Sequence, residues 1–192
     1  MRQPPSSAGR LVILDRDGVI NHDSDTYVKS VGEWTPIPGS IDAITRLSRS
    51  GYRVAVATNQ SGLARSLFTH AELNAIHRQL HALLATQGGK IELIAFCPHG
   101  PDAGCRCRKP GPGLLEEIAG RFGCCLESVP FIGDSISDVR AARAAGASPW
   151  LVRTGKGERT LAGSRGRELA DVPIFADLGA AAHALLTDQG YL

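Results

Sequence analysis

The chain has 192 residues, 43% of them hydrophobic and 21% charged, with a net charge of +2. That length suits one α/β domain with a full core. The near-neutral balance gives no case for a nucleic-acid partner, and no apolar run approaches a membrane span. Met1 to Arg10, rich in Pro, Ser and Gly, lacks the apolar segment of a signal peptide and is expected as a mobile tail, with residues 11–192 as a single domain. Leu11 to Leu14 reads as a buried strand, ending abruptly in Asp15-Arg16-Asp17-Gly18. Ile20 to Thr35 is polar and irregular. Pro38-Gly39-Ser40 opens a helix to about Ser50, and Gly51 ends it. Tyr52 to Ala57 is a second strand, stopped by Thr58-Asn59-Gln60-Ser61-Gly62. Thr69, with Glu72 three positions on, forms a capping box for a helix reaching about Thr86. Ile91 to Phe96 is a third strand and runs into a cysteine-rich loop. Gly113 to Phe122 is helical, Val129 to Ile132 is a fourth strand, and an alanine-rich helix runs to Gly146. Pro149 to Val152 is a fifth strand, Thr154 to Arg167 a flexible Gly- and charge-rich loop, Ile174-Phe175 an edge strand and Leu178 to Leu186 a closing helix. Strands alternating with helices predict a doubly wound, Rossmann-like parallel sheet with helices on both faces.

Four strand ends carry polar groups: Asp15 and Asp17, Thr58 and Asn59, Arg108 and Lys109 after the cysteine loop, and Asp134 and Asp138. In a parallel sheet these ends share one rim, where ligands bind. Asp15 and Asp17 lie on one face of an extended backbone. A close pair of acids implies a bound cation, an acid/base division of labour, or both; the bland alternative is a solvated turn. Three acids suit a hard cation such as Mg²⁺. A hydroxyl, an amide and a lysine suit the oxygens of a phosphoryl group, and an Asp carboxylate can act as a nucleophile that becomes an aspartyl-phosphate.

Cys97-x-His99 and Cys105-x-Cys107 place three sulfurs and one imidazole within eleven residues. That is a full tetrahedral set for a structural Zn²⁺ with no open position. A redox pair or buried free thiols are the alternatives. The expected location is cytoplasmic and reducing, which disfavours a disulfide framework. Cys124-Cys125 lies outside the pattern. Thr154-Gly155-Lys156-Gly157 lacks the spacing of a phosphate loop.

Taken together, Leu11 to Val19, Thr58, Lys109 and Gly133-Asp134-x-x-x-Asp138 resemble the four motifs of the haloacid dehalogenase-like phosphohydrolases. More narrowly, Asp15-Arg16-Asp17-Gly18, Thr58 to Gly62 and the Cys-x-His…Cys-x-Cys-Arg-Lys-Pro block resemble the heptose 1,7-bisphosphate phosphatases and related histidinol-phosphate phosphatases. The resemblance implies Asp15 as nucleophile and Asp17 as general acid and then base. It implies Mg²⁺ held by Asp15, the Asp17 backbone carbonyl and Asp134, and Thr58 and Lys109 on the phosphoryl oxygens. Asn59, Gln60, Ser61 and Arg108 would meet the rest of a small phosphorylated sugar, with Asp23 to Tyr27 as a wall and Arg65 reaching a distal phosphate. Asp138 would brace the site. Ser66 and Ser135 depart from the Gly and Lys common in relatives. Val19 to Ala57 is too short for a sizeable inserted cap domain, so an open, capless site is expected; the expected oligomeric state is a monomer. Hydrolysis of the heptose 7-phosphate is the leading reading and histidinol phosphate the alternative. A zinc-stabilised binding module with a relict site, or an aspartyl-phosphate switch, are readings of another class.

Overall fold

Strand β1 (Leu11–Leu14) is buried at every position, and its side chains alternate between two cores. Val12 and Leu14 join Val54 and Val56 on one face, under helices α1 (Ser40–Arg49), α2 (His70–Thr86) and α6 (Leu178–Thr187). Leu11 and Ile13 join Ala55 and Ala57 on the other, under α3 (Gly113–Phe122) and α4 (Ile136–Ala145). Burial on both faces explains why the strand reads as an unbroken apolar run rather than an alternating one. Each fully buried Ile or Leu contributes ~1.5–3 kcal/mol. The computed structural model describes residues 10–163 and 166–187, so the expected mobile tail lies, apart from Arg10, outside the described residues.

The sheet adds β2 (Arg53–Asn59), β3 (Leu93–Cys97), β4 (Pro130–Gly133), β5 (Ser148–Val152) and β6 (Ile174–Phe175). Its order is β3-β2-β1-β4-β5-β6, all parallel. The order in which strands are added reverses between β1 and β4, the switch point at which such sheets bind ligands. The predicted architecture is therefore present, with helices on both faces. Among the described residues no helix is long and apolar enough to cross a membrane.

Three departures from expectation bear on the site. β2 runs on through Asn59, pairing Thr58 with Phe96 and Asn59 with Cys97, so these polar residues are held by a sheet ladder rather than by a loop. Cys97 is likewise the last residue of β3. The expected flexible loop from Thr154 to Arg167 is corrected: α5 (Gly157–Ala162) and the start of a short 3₁₀ turn (Gly166–Leu169) occupy it. A six-residue helix is too short to show apolar periodicity, and tertiary hydrogen bonds hold it. Thr160 Oγ1 donates to Asp134 O at 3.1 Å, and Thr154 Oγ1 to Gly18 O at 2.6 Å.

Candidate active site

The ends of β1, β2 and β4 and the loop after β3 meet in a cavity of about 320 Å³. Asp15, Asp17, Thr58, Lys109 and Asp134 line it, as do Asp23, Tyr27, Asn59, Gln60, Ser61 and Arg108. Of the residues expected in the catalytic and substrate site, Asp138 and Arg65 are not on its wall. Arg65 is exposed and sits 5.9 Å over the Tyr27 ring, at the outer rim.

Lys109 is the hub. Its ammonium lies 2.8 Å from Asp15 Oδ2 and 2.7 Å from Asp138 Oδ1, and donates to Ala57 O at 3.0 Å. Its backbone is fixed by Asn59, which accepts from Lys109 N and donates to Lys109 O, both at 3.1 Å. Burial opposes the charge on Lys109, but Asp138 and Asp15 outweigh it and hold the ammonium above its ordinary range. Asp138, expected as a brace, accepts on Oδ2 from Ser135 N at 3.0 Å and from Ser135 Oγ, at the start of α4.

Asp15 and Asp134 are buried, and burial raises both. Asp15 is pushed up to about 7, against the pull of Lys109 and with Asp138 and Asp17 adding to the rise. Asp134 is pushed up to about 8, with Asp138 and Asp15 adding to burial and the bond from Lys156 N at 2.7 Å opposing it. The carboxylates of Asp15, Asp134 and Asp138 approach within 4.8 Å of one another. Three buried acids share this space with one lysine, and a hard divalent cation would supply the positive charge that lets all three ionise. Steric evidence agrees. Gly18 (φ +83°) and Gly155 (φ +59°) flank Asp134 so closely that a Cβ on either would meet its Oδ2 at 2.0 and 2.1 Å. Asp17's carboxylate lies outside this acid group and is turned to Arg16, Asn21 and Gln60. Burial works against its charge, yet the Arg16 guanidinium and the bonds from Asn21 and Gln60 hold it below the usual carboxylate range.

The second cluster is built from β3 and the loop after it. Cys97, Cys105 and Cys107 Sγ atoms stand 3.2–3.7 Å apart, and His99 Nδ1 is 3.2 Å from Cys107 and 3.6 Å from Cys97. Tetrahedral ligands on bonds of about 2.3 Å have edges of about 3.7 Å, so the four donors fit one zinc ion. Burial raises the Cys107 thiol, with its sulfur neighbours adding to the rise, to about 12; at Cys105 burial is outweighed by bonds from Cys107 and Arg108, which bring it down to about 7.

A family model described as HAD-hydrolase-like matches residues 106–181. A Pseudomonas putida protein named D-glycero-beta-D-manno-heptose-1,7-bisphosphate 7-phosphatase is 56% identical over 177 residues, 92% of this chain and 99% of that protein. The crystal structure of the Bordetella bronchiseptica D,D-heptose 1,7-bisphosphate phosphatase, complexed with magnesium and phosphate, matches with a TM-score of 0.90 at 52% identity, covering 93% of this chain and 99% of that one. The Burkholderia thailandensis phosphatase structure matches at 0.70 and 41%, with the same coverage.

The chain belongs to the heptose-1,7-bisphosphate 7-phosphatase family. Within this family member, sequence reasoning missed Arg16, Asn21 and Lys156. Arg16 and Asn21 escape notice because they sit between motif positions. Lys156 lies in the segment expected as a flexible loop; its Nζ is 2.6 Å from Asp23 Oδ2, and it lines the cavity. The one signal in the sequence is its placement after β5, a fifth strand end on the same rim.

Proposed function

We propose that the chain is a Mg²⁺-dependent phosphoric monoester hydrolase that removes the 7-phosphate of D-glycero-β-D-manno-heptose 1,7-bisphosphate through an aspartyl-phosphate. The observation that carries this reading is the Lys109 ammonium 2.8 Å from a buried Asp15, in a cavity shared with Asp17, Thr58 and Asp134. Relatives at 50–56% identity named for the β-anomer support the substrate and give the histidinol-phosphate alternative no comparable footing.

Asp15 attacks phosphorus, and the bond to the sugar oxygen breaks. Lys109 and Thr58 hold the phosphoryl oxygens as charge spreads over them. Asp17 hands its proton to the leaving sugar oxygen. The arriving phosphate anion raises its otherwise depressed pKa, and so lets it carry that proton. Asp17, now ionised, takes a proton from water, whose oxygen attacks the phosphorus and releases Asp15 and inorganic phosphate. Mg²⁺, held by Asp15, Asp134 and the Asp17 carbonyl, would neutralise phosphoryl charge and keep Asp15 ionised. Ser61, Arg108, Asp23 and Tyr27 would frame the sugar and Arg65 the distal phosphate. Asn59 and Gln60 face the cavity with their amides already committed to Lys109, and to Arg16, Asp17 and Thr58.

Zn²⁺ on Cys97, His99, Cys105 and Cys107 would pin the loop that delivers Arg108 and Lys109. Thiol ligands suit a cytoplasmic, reducing location. Residues 11–192 would act as one capless domain and as a monomer. The test is phosphate release with Mg²⁺ from the β- and α-anomers and from histidinol phosphate. A preference for the β-anomer is expected; preference for histidinol phosphate would overturn the substrate assignment and leave the chemistry standing.

A further inference from the structure

Arg16 sits between the two site aspartates, yet only 1% of its side chain is exposed. It is the largest fully buried side chain in the described fold. A buried cation costs stability unless every donor is paired, and Arg16 Nη1 has no partner among the described residues. An aliphatic residue would serve the core better, so this arginine is kept for what its other nitrogens do.

Those nitrogens grip Asp17. Nε donates to Oδ1 at 3.1 Å, and Nη2 reaches both Oδ1 and Oδ2 at 2.9 Å. Nη2 also donates to Gln60 Oε1 at 3.2 Å, which fixes the orientation of that amide. Gln60 Nε2 then donates to Asp17 Oδ2 at 3.0 Å and to Thr58 Oγ1 at 2.9 Å. Asn21 Nδ2 closes the other side on Oδ1 at 2.8 Å. Each Asp17 oxygen is therefore held from two directions, and the guanidinium fork ties its aim to that of Thr58.

We propose that Arg16 is the positioning residue of Asp17: it holds the carboxylate in the one rotamer that receives the proton of the attacking water. This rests on the reading of Asp17 as the acid/base. In that half-reaction the water oxygen bonds to phosphorus, the bond from phosphorus to Asp15 breaks, and the water proton passes to Asp17. A carboxylate misplaced by about an ångström loses most of this advantage. Attack by Asp15 on an ester with a good leaving group needs no proton from Asp17 and is insensitive to its aim.

p-Nitrophenyl phosphate with Mg²⁺ separates the two halves. Arg16→Lys keeps the charge and loses the fork. It should lower kcat about ten- to a hundredfold and leave kcat/KM within about twofold, with a burst of nitrophenolate near one equivalent per site. Asp17→Asn should show the same split, more strongly. Arg16→Gln, which keeps a donor without the buried charge, carries the test if the lysine variant does not fold. A parallel fall in kcat and kcat/KM would make Arg16 structural only, and unchanged kinetics would make it packing only; either overturns the proposal. If Asp17→Asn itself shows no split, the acid/base reading of Asp17 is what falls.

Discussion

The acid rim and the cysteine loop both gather metal-type ligands, and they are built in opposite ways. Asp15, Asp134 and Asp138 come from two strand ends and a helix start over a hundred residues apart in sequence, and share their space with Lys109 and a 320 Å³ cavity. Cys97, His99, Cys105 and Cys107 come from the end of one strand and the loop after it, and already form a closed four-donor set. A set that must leave room for a reacting group keeps acids that burial holds back from ionising; a set that only has to hold the chain can be complete. The same contrast separates catalytic from structural metal sites in general.

Substitutions should divide along that line. Asp15→Asn is expected to lower turnover more than about a thousandfold while the melting curve stays in place. Turnover close to the parent's would remove Asp15 as nucleophile. Cys107→Ser should do the reverse first, losing bound zinc and about 10 °C of melting temperature, with activity following as Lys109 loses its anchor. A serine variant with unchanged metal content and melting temperature would end the structural reading of the loop.

A smaller effect tests the charge on the rim. Asp15 and Asp134 have folded pKa values raised to about 7 and about 8, above the unfolded range. Their protonated forms stabilise the metal-free fold below about pH 4, and that contribution is lost as pH rises through 7 to 8. Mg²⁺ needs the ionised forms, so its stabilisation runs the other way. The gain in melting temperature on adding Mg²⁺ should widen by roughly 3–5 °C per pH unit between pH 6 and 8. A pH-independent gain would show that these carboxyls are not its ligands. The smallest effect serves as a control away from both clusters. Ser66 has φ 54°, a left-handed conformation in which a side chain is strained. Ser66→Gly should stabilise by ~0.5–1 kcal/mol in urea melts without altering metal binding; destabilisation would refute the strain.

The polar strand ends were legible because a buried apolar run seldom stops at an acid or a hydroxyl, as at Asp15, Thr58 or Asp134, unless that group has work at the sheet edge. The parallel order followed from alternating element types. What stayed hidden was where each donor spends its hydrogen bonds. Asn59 and Gln60 look alike as substrate contacts in a sequence, but one clamps the Lys109 backbone and the other orients Asp17 and Thr58. Arg16 was invisible for the opposite reason: between two acids it reads as a spacer, and nothing local says that it is wholly buried. The α5 segment failed periodicity because it is held by bonds to Asp134 and by backbone contact, not by an apolar face.

The seam between Gly18 and Gly155 has a consequence for how the protein is made. Thr154 reaches back to Gly18 O and Lys156 to Asp134 Oδ2, joining the segment after β5 to the turns after β1 and β4. A ribosome-bound chain that has emerged only just past β4 already carries Asp15, Asp17, Thr58, Lys109 and Asp134. It lacks the strap that sets the last of them. The cysteine loop has no such wait, because its four donors emerge together. During translation the thiol cluster can close some fifty residues before the acid rim is complete, so the nascent chain is anchored well before it is competent.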